Sequence, residues 1–112
     1  MSVMEKYYCA LDERSAQERS KAAEAKAAND ERGHSIHLMQ ASMLGDMLKV
    51  LGRVQHEGAR PGVLQAQIDS LKKEEEKQKA QGDYDSADRA RVKAETIGWA
   101  LRTLTELENG HE

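Results

Sequence analysis

VLQAQIDSLKKEEEKQKAQGDYDSADRARVKAETIGWALRTL, residues 63–104, is the stretch on which the fold turns. Gly82-Asp83 is a turn pair in its middle, and Asp83 is placed to cap whatever helix follows. Before the turn Leu64, Ile68 and Leu71 recur at spacings of four and three. After it Ala87, Ala90, Ala94, Ile97, Leu101 and Leu104 do the same, which is the period of one helix face. A reversal at the turn sets Leu71 opposite Ala94, Ile68 opposite Ile97 and Leu64 opposite Leu101, so both stripes meet in one register. The stretch therefore predicts an antiparallel helical hairpin over residues 63–108, opened by Pro61, a residue suited to a first helical turn. Nearer the turn the facing pairs become Glu75 with Ala90 and Gln78 with Ala87. That predicts a seam tight at its base and loose and solvated at its tip.

Upstream, over residues 1–57, two helical segments are expected. The first, residues 3–31, carries large apolar groups only at its start (Val3, Met4, Tyr7, Tyr8, Leu11) and then offers alanines: Ala16, Ala22, Ala23, Ala25, Ala27 and Ala28. Such a helix gains little from burial, so it is the segment expected to fray or to wait for a partner. The second, residues 35–57, is the most apolar. Ile36, Met39, Met43, Met47, Leu51 and Val54 recur at three and four with Leu44 and Leu48 beside them, while Ala41, Gly45 and Gly52 are small enough for a neighbouring backbone to come close. A break at Gly33 is favoured, with one continuous helix as the alternative. The whole chain reads as a single all-α domain, the C-terminal hairpin packed against one or two N-terminal helices, bundle-like or coiled-coil-like and oligomeric.

Composition agrees. With 112 residues, 33% of them charged, no Phe and one Pro, the chain is rich in residues that lose least on entering a helix. It has 17 Lys and Arg against 20 Asp and Glu, and neither half is polarised, which argues against a phosphate-binding surface and so against nucleic acid. The lone Cys9, set beside Tyr7, Tyr8 and Leu11, is expected to be a small buried hydrophobe. No apolar run has the length of a membrane span, and a cytoplasmic location is expected.

Enzyme signatures are missing: there is no phosphate-binding glycine loop, no HExxH and no paired-cysteine spacing. Two ExxH runs, Glu31 to His34 and Glu108 to His111, contain glycines at expected helix ends. Asp30, His34 and His37 could share a helix face, but they are read as solvated turn residues. No catalytic residue, metal site or cofactor is expected. The run from Lys72 to Lys77 alternates charge at helical spacing and reads as a solvated face.

Trp99, the only tryptophan, lies well off the Ile97–Leu101–Leu104 stripe and shares a second face with Val92 and Thr103. Either the methionine-rich segment or a second chain should cover it. The spacing Tyr84-x-x-Ala87-x-x-Ala90-Arg91-x-x-Ala94-x-x-Ile97 after a charged helix resembles the UVR helical hairpin of bacterial excision-repair proteins, with Asp88 and Ala90 departing from that pattern. The resemblance implies protein–protein docking. The function expected is a non-enzymatic interaction or assembly module, homodimeric and bound to a protein partner, with Trp99, Val92, Met39, Met43, Met47, Leu51, Tyr7 and Tyr8 at its interface. A small inhibitory protein that occludes another, such as a virus-encoded counter-defence protein, is the alternative; a metal-binding helical bundle is the other.

Overall fold

The computed structural model describes residues 2–53 and 61–110; for positions 50–53 and 61 it describes the backbone alone. Leu51 and Gly52 thus fall outside the described side chains, and Val54, Glu57 and His111 outside the described residues altogether. Among the described residues four helices account for the fold: α1 Val3–Ala27, α2 Glu31–Arg53, α3 Pro61–Ala80 and α4 Tyr84–Asn109. Pro61 does open α3, and the Asp83 carboxylate accepts the Ser86 amide at 3.2 Å to cap α4, as the turn pair implied.

The break between α1 and α2 comes before Gly33, not at it. Asn29 takes a left-handed conformation with φ 60°, and the Asp30 amide closes back on the Ala25 carbonyl at 2.8 Å. Asp30 then caps α2, its Oδ1 accepting the Gly33 amide at 2.9 Å. Gly33 is inside the helix, and its missing side chain makes room for that cap: a Cβ there would sit 2.8 Å from Asp30 Cγ.

Helix α1 is not the loose element its alanines suggested; it packs closely along α2. It buries Tyr7, Leu11, Ser15, Glu18 and Ala22, a stripe at spacings of four, four, three and four that continues through polar residues. Cys9 is two residues from both Tyr7 and Leu11, about 200° around the helix from each. It is therefore exposed, contrary to the expectation of a buried thiol.

As the bonding partner on α1 moves from Tyr8 through Ser15 and Glu18 to Ala22, the partner on α2 moves back from Leu48 through Ala41 and His37 to His34, so these helices are antiparallel. Helices α2 and α4 run parallel, joined by Arg32 to Asp88, Arg89 to Ser35 and Gln40 to Thr96. Helix α4 is central: α1 and α2 pack on one side of it and α3 on another.

One core joins both hairpins, formed by Tyr7, Leu11, Leu44, Leu64, Ile68, Ala94, Ile97, Ala100 and Leu104. Ile68 and Ile97 lie in it together. The hairpin tip is not loose: Ala87 and Ala90 are 1% and 4% exposed, and Glu75 and Gln78 are half-buried. Alanines let the two backbones close up, and the methylenes of the long polar side chains supply the cover.

Candidate functional site

The residues expected at an interface are mostly turned inward. Tyr7 and Val92 are buried; Met39, Met43 and Met47 are half-buried, the last two against the core. Tyr8 is exposed, but its hydroxyl donates to the Leu48 carbonyl at 2.7 Å. Trp99 is half-buried and packed against the core, with the Arg14 guanidinium of α1 over its ring, 5.0 Å from the ring centroid. Thr96, on the same side of α4, accepts a bond from Gln40 of α2 at 3.2 Å. The second face of α4 thus meets the N-terminal hairpin of its own chain.

Arg14 leads to a cluster that periodicity did not reveal. Its Nε donates to Glu18 at 2.9 Å, Lys21 lies 3.7 Å from the same carboxylate oxygen, and His37 of α2 bonds the other at 2.6 Å. Glu18 is 1% exposed. Burial alone would push its carboxyl up, but the hydrogen bonds from His37 and Arg14, with the charges of Lys21 and Arg14, outweigh burial and hold it below its ordinary value. His34 makes a parallel link, its Nδ1 donating to the Ala22 carbonyl at 2.9 Å, and Ser15 donates to the Ala41 carbonyl at 3.1 Å. His34 and His37 are therefore bridges between helices and not solvated turn residues. Among the described residues no three His, Cys, Asp or Glu side chains converge as metal ligands. The signal available in the sequence was the α1 stripe itself, Tyr7-Leu11-Ser15-Glu18-Ala22, whose spacing stays helical after its residues cease to be apolar.

The face of α4 left open adjoins α3. There Ile68, Ala94 and Leu101 floor a groove of about 410 Å³, with Gln65, Lys72 and Glu75 on one rim and Arg91, Glu95 and Arg102 on the other. Gly98 lies in the groove wall, and a Cβ there would meet only Arg102 Nη1, at 3.5 Å. Tyr84, 68% exposed, stands by itself at the hairpin tip. Among the described residues no helix is long and apolar enough to cross a membrane. No protein-family model, curated protein or solved structure matches the chain, so the likeness of the C-terminal hairpin to excision-repair hairpins stands on its residue pattern alone.

Proposed function

We propose that the protein is a non-enzymatic interaction module that binds another protein surface in the groove between α3 and α4. The observation that carries this is the position of α4. Among the described residues its contacts with α1, α2 and α3 leave one side uncovered, where a groove over Ile68, Ala94 and Leu101 is bordered by charges of both signs. Such a surface suits a helix: Leu101, half-buried above the already buried Ile68 and Ala94, is the apolar side chain left to cover, and the charged rims set orientation. Trp99 and the methionine stripe act indirectly, by locking the N-terminal hairpin to α4 and so holding the groove in shape. The exposed free thiol of Cys9 fits a reducing compartment such as the cytoplasm.

The test is a photo-crosslinking residue placed at Gln65 on the groove rim and, as control, at exposed Ala66, tried in the native host. A protein adduct from position 65 and none from position 66 is the expected result. Equal yields, or none from either, would remove the groove as the binding face.

A further inference from the structure

Along the open side of α4, Arg91, Glu95, Gly98, Arg102 and Glu106 follow one another at spacings of four, three, four and four, which puts them on one stripe. The four charged residues are exposed and Gly98 is half-buried. Their signs run plus, minus, gap, plus, minus. Turned end for end, the order becomes minus, plus, gap, minus, plus, so the stripe is its own electrostatic complement. Such a pattern is what a two-fold interface requires, because each patch must meet an identical copy of itself.

We propose that the occupant of this face is a second copy of the chain, its α4 crossing antiparallel at Gly98. Glu95 of each copy then faces the partner's Arg102, and Arg91 faces the partner's Glu106. Gly98 supplies the close approach, since only the movable end of Arg102 lies near its missing side chain. Among the described residues Arg102 and Glu106 have no ion-pair partner within the chain, while Arg91 already holds Glu95 at 3.2 Å and lies 3.7 Å from Asp88. The second copy would extend these contacts into a network. Exposed ion pairs alone are weak, so the association also needs the apolar surface beside the stripe, which half-buried Leu101 supplies over the buried Ile68 and Ala94. The proposal rests on the groove being a protein-binding face and names what occupies it.

Light scattering and sedimentation of the full chain at tens of micromolar, the range of a modest dimer, should give twice the 12.5 kDa chain mass. Arg102→Glu sets like charges against each other twice and should weaken association by roughly tenfold or more, with helicity unchanged because the site is exposed. The double variant Glu95→Arg, Arg102→Glu restores opposite signs across the two-fold and should recover most of the loss. A monomer at every concentration, a dimer indifferent to Arg102→Glu, or a loss that the double variant does not rescue would each overturn the proposal. A monomer that still crosslinks from position 65 to a different protein would sink the dimer and leave the groove standing; no adduct at all would take both.

Discussion

Four side-chain hydrogen bonds cross the seam between α1 and α2, whereas among the described residues none crosses between α3 and α4. The first seam is stitched by Tyr8, Ser15, Glu18 with His37, and His34, beside the apolar contacts of Tyr7, Leu11 and Leu44. The second closes on Leu64, Ile68, Ala94, Ile97 and Leu104. Directional bonds fix register at a net contribution of about 1 kcal/mol each, because the same groups were bonded to water before folding. Apolar packing contributes by the area it removes from water and tolerates shifts in register more readily. The two hairpins therefore reach helix pairing by different means. Variants that cut packing should be felt in both seams, whereas variants that cut charge should be felt in the N-terminal seam alone and depend on pH.

The largest effect is expected in the apolar seam. Ile97→Ala removes a buried side chain shared by both hairpins and should lower unfolding free energy by about 2–4 kcal/mol in urea. A loss below about 1 kcal/mol would mean that the site collapses around the cavity or that the packing is less tight than described.

That seam was legible in the sequence because apolar residues announce helical period directly. Leu64, Ile68 and Leu71 could be paired with Leu101, Ile97 and Ala94 by spacing and one turn. The polar seam was not. Ser15, Glu18 and His37 look like surface residues, and nothing in their own identity says that 15 and 18 continue the face of Tyr7 and Leu11. Burial of such groups depends on partners supplied by another helix, and pairing across helices is set by tertiary register. The same limit hid Arg14 over the Trp99 ring. Gly33 looks like a stop signal, but Asn29 and Asp30, four and three residues earlier, supply the turn and the cap.

Next in size is Glu18→Gln, which keeps the shape but removes the anion that His37, Arg14 and Lys21 share. Hydrogen bonds to a charged group carry more than neutral ones, so a loss of about 2 kcal/mol at neutral pH is expected. The sign of its pH dependence follows from the lowered carboxyl. A group whose folded value lies below its unfolded value stabilises above the unfolded value, here near 4.5, and loses that contribution as pH falls through the folded one. Wild type should therefore weaken in acid more steeply than Glu18→Gln, and the two should converge once the pH has fallen through the lowered folded value. Parallel stability curves would show that Glu18 is not held by its neighbours' charge.

Arg14→Gln probes the join between the two hairpins. It takes the cation off the Trp99 ring and one donor from Glu18, for an expected loss of about 1 kcal/mol. Its clearer readout is optical: with Arg14 gone the indole should be more hydrated and emit further to the red. Emission unchanged from wild type would place the cover on Trp99 elsewhere, and would return the methionine stripe or a second chain as the group that shields it.

The smallest effect has the opposite sign. Tyr7 is fully buried in the core, its hydroxyl finds no partner among the described residues, and burial pushes the phenol from 10.0 to about 12. A buried hydroxyl without a partner costs desolvation that a phenyl ring of the same shape does not, so Tyr7→Phe should raise stability by about 0.5–1 kcal/mol at neutral pH. The alkaline limb gives a second check. Because the folded phenol titrates above the unfolded one, wild type should lose stability as pH rises from 10 towards 12, the interval in which only the unfolded chain releases that proton. Tyr7→Phe has no such group and should lose less over the same interval. If the variant is instead less stable than wild type at neutral pH, the hydroxyl has a bonding partner after all, and the α1 seam carries one more polar stitch than the four described.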